Sequence, residues 1–262
     1  MIDLKNTPAH KKFKILLIGD SCEDEYFIGD CERLSPEAPV PILKIQEHFN
    51  TPGMAANVKK GFTEIGQIVD IITNDSKIKK IRYIDKRSGQ HLLRVDDEPK
   101  IPVWSGKSYI LNMIANYDAI VISDYNKGFL TYEHIEKLIK DNPDKPVFID
   151  TKKTDLKRFS GAFIKINFYE YNKNISVPEG EKGLIVTNGG NGAMYNSVHY
   201  PAPKVEVADV CGAGDTFLTY LVYGYLCDKN IEHAIKLAIK AASESVKHRG
   251  NYAPTLKEIF EQ

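Results

Sequence analysis

Residues 209–226 read DVCGAGDTFLTYLVYGYL, and the rest of the chain is best read outward from them. Gly212, Ala213 and Gly214 are followed at once by Asp215 and then by an apolar, helix-like run. Small residues let consecutive backbone N–H groups turn toward one point, and a helix start adds its partial positive charge there. Such a turn holds an anion, or the negative charge that develops on a transferring phosphoryl group. Asp215, in the first turn, is placed to accept a proton from a hydroxyl brought to the same point. Read alone, the tetrapeptide is equally an acidic helix start with glycines for tight packing.

Upstream, short apolar runs recur at KILLIG (14–19), IVDIIT (68–73), AIVIS (119–123), PVFID (146–150), FIKIN (163–167) and GLIVTN (183–188). They are unbroken rather than alternating, as in strands buried on both faces of a sheet. Helical stripes lie between and after them: Val58, Phe62 and Ile65; Ile110, Ile114 and Tyr117; Ile135, Leu138 and Ile139; and a long final helix over 231–248. This alternation predicts an α/β sandwich on a mainly parallel sheet. The strand runs end at Asp20, Asp124, Asp150, Asn167 and Asn188. Ligands of open α/β sheets sit beyond the carboxyl ends of the strands, so these five polar ends predict one ligand-binding edge.

Two regions break the rhythm. SCEDEYFIGDCERLSPEAPVPILKIQEHFN (21–50) contains two strand-like runs around Pro36 and Pro39, and HLLRVDDEP (91–99) holds a third. Neither has a helix beside it, and pairing with each other into a small antiparallel flap satisfies their backbones; the alternative is two surface excursions. A third segment, TPGMAANVKKGFTEIG (51–66), opens a helix at Thr51-Pro52-Gly53 with small residues and Asn57 in its first turns. Asn57 both donates to and accepts from a hydroxyl, and small neighbours admit a ligand to the backbone.

Composition narrows the function. Across 262 residues, Lys+Arg and Asp+Glu both total 35, which argues against a nucleic-acid or polyanion binder. Cys22, Cys31, Cys211 and Cys227 include no CxxC pair, so no zinc site or redox dithiol is expected, only free thiols. The N-terminal MIDLKNTPAHKKFK lacks the apolar core of a signal peptide. The most apolar helix-like stretch, FLTYLVYGYL (217–226), has about half the length of a membrane span. A cytoplasmic location with no membrane partner is expected. Neither GxxxxGK[ST] nor GxGxxG after the first strand occurs, which counts against a P-loop enzyme and a dinucleotide-dependent oxidoreductase.

Taken in order, GMAAN and DVCGAGDTF resemble the two signatures of the ribokinase-like (PfkB) carbohydrate kinase family, and the likeness runs through most of the chain. GDSCEDEYFIGDCERLSPEAPVPILKI, SDYNKGFL, IDTKKTD and NFYE narrow it to the heptose 7-phosphate kinases, the kinase half of the bifunctional ADP-heptose synthesis enzyme. The resemblance implies a single ribokinase-like three-layer sandwich over 1–262, with β-clasp lid segments at about 21–50 and 88–99. It implies Asp215 as catalytic base and Gly212, Ala213 and Gly214 as the anion hole. Asp20, Asp24, Gly53 and Asn57 match acceptor-sugar contacts, and Asp124, Lys127 and Arg94 fall near the expected sugar phosphate. Asn167 and Glu170 match an NxxE pattern that organises Mg and phosphates, with Glu170 acting on the metal indirectly. Thr187, Gly189 and Gly192 resemble the nucleotide-side loop, and Asn251 the segment near the adenine. The implied cofactors are ATP and Mg, with a monovalent cation as a further candidate; the implied partners are a sugar phosphate and a second copy joined through the lid.

The chain departs from the pattern in three places. Met54 stands where a second glycine is usual, which is expected to narrow the space beside the sugar, and Cys211 replaces a threonine. The stretch from Gly66 to Arg94 is short by a strand–helix unit, so part of the sheet edge or lid support is expected to be missing. No cytidylyl- or adenylyltransferase segment follows residue 262, so the expectation is either a different sugar or a trimmed enzyme whose partner activity lies elsewhere. A kinase for another sugar or a nucleoside, and a catalytically weak sugar- or nucleotide-binding relative, are the competing readings.

Overall fold

The six unbroken runs become neighbouring parallel strands. The computed structural model describes residues 11–173, 176 and 183–261, so the first ten residues of the polar N-terminal stretch lie outside it. β1 (Lys14–Gly19), β4 (Ile68–Thr73), β7 (Ala119–Asp124), β8 (Val147–Thr151), β9 (Phe163–Asn167) and β10 (Leu184–Thr187) form the parallel part of an eight-stranded sheet. Its order is β12-β11-β10-β9-β8-β7-β1-β4. The two antiparallel edge strands, β11 (Ala193–Tyr195) and β12 (Val198–Tyr200), went unread in the sequence. They are three residues each, joined by Asn196 and Ser197, both at positive φ, as a tight two-residue hairpin requires.

Both faces of the sheet are covered. On one face Ile15, Leu17 and Val121 pack under α1 (Ala55–Glu64), α4 (Ala213–Asp228), α5 (Ile231–Ser245) and the short α6 (Leu256–Phe260). On the other, Leu16, Ile18 and Ile122 meet α2 (Tyr132–Asp141) and the turns around Tyr117 and Phe159. This is the expected three-layer sandwich. The Ile110–Tyr117 stripe is not an α-helix: Tyr109–Asn116 is two 3₁₀ turns broken at Met113. Two asparagines and two β-branched isoleucines in YILNMIAN favour that outcome.

The flap differs from expectation in its pairing. β2 (Ser21–Leu34), β3 (Pro41–Met54), β5 (Ile78–Asp85) and β6 (His91–Asp97) form a separate sheet in the order β3-β2-β5-β6. The two predicted strand regions therefore never touch through β2 and β6; β5 lies between them and runs parallel to β2. IKKIRYID hides this strand because its charges interrupt the apolar pattern. Those charges are answered from β2: Lys79 donates to Glu25 (2.6 Å) and Arg82 to Asp24 (2.6 Å). Thr51–Met54 likewise end β3 rather than open α1. Met54 itself has φ +55, in the region glycine favours, and its side chain joins the apolar cluster with Ile72 and Ile78. The shortness of 66–94 shows as β4 ending the sheet on its side and passing straight into β5.

One glycine matters for chain approach. A Cβ at Gly19 would lie 1.9 Å from the backbone oxygen of Ser123, on the neighbouring strand β7. Gly19→Ala must push β1 and β7 apart at their carboxyl ends, and we expect it to cost about 1–3 kcal/mol or more. Urea unfolding should show this as a lower midpoint at unchanged slope.

Candidate active site

The strand order reverses direction at β1, with β4 on one side and β7 on the other, and polar side chains gather there. Asp20 follows β1 and is buried. Its carboxylate accepts from the backbone N–H groups of Lys127 (3.3 Å) and Phe129 (3.4 Å). Burial and the neighbouring charge of Asp124 push the Asp20 carboxyl above its ordinary range, against those bonds. Asp124 ends β7; its carboxylate takes the Thr151 hydroxyl (2.7 Å) and the buried Lys153 ammonium (3.2 Å).

Asp215 sits in the first turn of α4, above that edge. Gly212, at φ +75, forms the left-handed turn that starts the helix, and a Cβ there would crowd Asn57 and Asn251, each 3.1 Å away. Asp215 Oδ2 accepts from the Asn57 amide (2.7 Å) and Oδ1 from the Tyr125 hydroxyl (3.0 Å). Burial is the main reason its carboxyl is pushed up to about 6; Asp150 adds to the rise, while the Asn57 and Tyr125 bonds and the Lys165 charge oppose it. A carboxylate with that value is ionised at neutral pH yet basic enough to take a proton from an alcohol in transit.

Beside this turn opens a cavity of about 690 Å³, large enough for a nucleotide. Gly212, Ala213, Gly214 and Asp215 line it, as do the predicted Asn167, Thr187, Gly189 and Gly192. One part of its wall is apolar, built from Pro203, Val205, Val207 and Val246. Glu170 stands behind Asn167, the two joined by reciprocal bonds between each backbone N–H and the other's side chain (2.9 and 2.8 Å). Lys152, another wall residue, pairs with Glu170.

The remaining candidates lie toward the four-stranded sheet. Asp24 is buried, held by Arg82 and by the Asn251 amide (3.3 Å), which also donates to the Pro52 carbonyl (3.2 Å). Asn251 thus sits against β2 and β3 and does not line the cavity, contrary to its expected place near an adenine. Gly53 presses on the same spot: a Cβ there would be 2.3 Å from the Asp24 carboxylate and 2.5 Å from the Cys22 sulfur. Lys127 extends to Glu98 (2.6 Å), and Arg94, half-exposed on β6, pairs with Asp96 (2.7 Å). Neither turns its charge to Asp215.

Tyr125 and Arg82 were missed in the sequence; Asp150 was read only as a polar strand end, and its partner Lys165 was missed too. One signal was present for the last two: a lysine inside FIKIN and an aspartate closing PVFID place charge in strands that are buried on both faces. Buried charges need each other, and Lys165 donates to Asp150 at 2.7 Å.

Residues 147–258 match the profile of the pfkB family carbohydrate kinases. The bifunctional protein HldE of Hydrogenovibrio crunogenus is 29% identical over 309 aligned positions, covering 98% of this chain and 64% of its own length. That of a Nitratiruptor species is 33% identical over 303, covering 95% and 65%. The chain therefore spans just under two thirds of the curated relatives it matches. Among solved structures, phosphofructokinase-2 of Escherichia coli in complex with potassium has a TM-score of 0.73 at 15% identity, covering 96% of this chain and 99% of that one. Arabidopsis thaliana ribokinase complexed with ribose and ATP has a TM-score of 0.70 at 13% identity, covering 96% and 98%. The fold is ribokinase-like, and residues 147–258 carry a pfkB family carbohydrate kinase domain.

Proposed function

We propose that this chain transfers the γ-phosphoryl group of ATP to a sugar hydroxyl, with the anomeric hydroxyl of D-glycero-D-manno-heptose 7-phosphate as acceptor. The observation that carries the reading is Asp215: a buried carboxylate in a glycine-lined helix start, facing a cavity of nucleotide size. The heptose acceptor is supported by the SPEAPVP and PGMAAN segments and by the similarity to the HldE proteins.

The chemistry follows from placement. The apolar wall takes the base, while Thr187, Gly189 and Asn167 face the phosphates. Asn57 and Tyr125 fix both oxygens of Asp215, so its remaining lone pairs point at one place. An acceptor hydroxyl brought there from the Asp20 and Asp24 side loses its proton to Asp215 as its oxygen bonds to the γ-phosphorus. The N–H groups of the 212–214 turn gather the charge on the transferring group. The four-stranded sheet acts as a lid that shuts water out.

Among the described residues no three His, Cys, Asp or Glu side chains converge as a metal cage. That fits Mg²⁺, which keeps its waters and rides on phosphates with one or two carboxylates nearby. Glu170, acting through Asn167, would be such a carboxylate. Bound there, the ion neutralises charge on the phosphate oxygens. A potassium-type ion beside the same turn, a second copy seated on the exposed Ile45, Phe49 and Leu93 of the lid, and a cytoplasmic location complete the proposal. No helix among the described residues is long and apolar enough to cross a membrane. A kinase for an unphosphorylated sugar or a nucleoside is the second reading. It is favoured by Lys127 and Arg94, both already paired with carboxylates instead of open to an acceptor phosphate.

Phosphorylation assays with MgATP across heptose 7-phosphate, hexoses, their phosphates and nucleosides decide between these; the heptose ester should show the highest kcat/KM. Asp215→Asn should lose about 100- to 10,000-fold in kcat and keep its affinity for ATP. Asp215→Asn turning over at the wild-type rate would sink the assignment. The profile of kcat/KM against pH should fall on the acid side near pH 6, where Asp215 takes up a proton. Asp215→Asn should also melt at a higher temperature than the wild type at pH 8. The fold raises this carboxyl from 3.8 to about 6, so its ionised form carries a penalty on the order of 3 kcal/mol above pH 6. The penalty fades as the pH falls through 6 toward 4, and the difference between the two melting curves should fade with it.

A further inference from the structure

The sheet face under α4 is apolar through Leu17, Val121 and Phe148, and then carries a polar row. Strand register sets Gly19, Ser123, Asp150 and Lys165 side by side on β1, β7, β8 and β9. Asp150 and Lys165 have side chains only 6% exposed, and both line the cavity. Two atoms of the row, Ser123 Oγ and Asp150 Oδ1, are buried without any hydrogen-bond partner. The Lys165 ammonium lies directly against the anion turn: a Cβ at Gly214 would be 3.0 Å from it. Gly214 is helical in φ, so what excludes a side chain here is the lysine and not the backbone.

A buried ion pair contributes little net stability, because desolvation offsets the attraction. Stability alone gives no reason to place one here with an acceptor oxygen left over. Position does: the pair opens on the cavity one residue from Asp215. A lysine ammonium has three donors on a flexible stem. Lys165 donates to Asp150 at 2.7 Å.

Building on the kinase reading above, we propose that Lys165 is a catalytic residue, donating to the phosphoryl group in flight, and that Asp150 is the positioning residue that holds it at the Gly214 turn. The acceptor oxygen bonds to phosphorus as the bond to the β-phosphate oxygen breaks. The acceptor proton goes to Asp215, and the bonding pair leaves with ADP. Lys165 keeps its proton throughout; it follows the charge spread over the equatorial oxygens. Burial pulls the Lys165 ammonium toward losing that proton, but the Asp150 charge and hydrogen bond outweigh this and hold it above its ordinary value. The groups facing Asp215 are Asn57 from α1, Tyr125 after β7, Asp150 from β8 and Lys165 from β9.

The test uses the full chain, MgATP and the best acceptor from the panel. Lys165→Met should lower kcat about 100- to 1,000-fold with the acceptor KM changed less than about threefold. Lys165→Arg should recover part of the rate. The acid limb of kcat/KM should move to higher pH in Lys165→Met and to lower pH in Asp150→Asn, since the first loses a charge that favours ionised Asp215 and the second a charge that opposes it. Because Lys165→Met strands a buried carboxylate, the double variant Asp150→Asn/Lys165→Met, which removes both charges of the pair, guards against simple misfolding. It should melt like the wild type and remain slow. A folded double variant within about threefold of wild-type kcat, or limbs that do not move, overturns the proposal while leaving the kinase reading intact. A wild type inactive on every acceptor sinks both.

Discussion

Two hydrogen bonds to one buried carboxylate tie together three parts of the chain that are far apart in sequence. Asn57 comes from α1, Tyr125 from the turn after β7, and Asp215 from α4. An isolated carboxylate in such a place is costly, and these bonds together with Lys165 make it tolerable without removing its tendency to hold a proton. The same compromise makes it useful. A fully satisfied acid at the bottom of the pH scale would be a poor base, and an unsupported one would be neutral. The fold sets Asp215 between those limits, and the helix start beneath it supplies the positive end that the transferred group needs.

The layered core was readable because its signal is local. Unbroken apolar runs of five or six residues, each ending in Asp or Asn, are hard to reconcile with anything but strands under helices. The strands that escaped notice each depend on partners the chain meets only after folding. β5 carries Lys79, Lys80 and Arg82, and two of these charges are answered by Glu25 and Asp24 more than fifty residues earlier. β11 and β12 are too short for any period to register. The stripe at 110–117 had the right spacing but the wrong residues for a stable α-helix.

The site was legible to a similar depth. Asp215, Asn57 and the glycine turn announced themselves, because a backbone that must bend or be approached leaves its mark in small residues. The residues that modulate them did not. Tyr125 is an ordinary tyrosine until its hydroxyl is seen on Asp215, and Lys165 and Asp150 are two interruptions in apolar strands until the register sets them side by side. Lys127 and Arg94 were placed near a sugar phosphate by the resemblance, and a resemblance does not say which way a side chain points; both are engaged by neighbours. Met54 holds a position suited to glycine, and its side chain turns into the apolar cluster.

The way the small sheet is attached has a mechanical consequence. β2 leaves the end of β1 across a single residue, Asp20, and β3 runs without a break into α1, so both anchors of the sheet are short and direct. Asp24 and Gly53 lie a few residues out from those anchors and touch one another. Any tilt of the sheet is therefore passed as a lever stroke to that contact and, through Asn57 in the helix that follows, to the carboxylate itself. On the proposed kinase reading, capture of the acceptor and arming of the base would be one movement of a stiff arm on two short pivots.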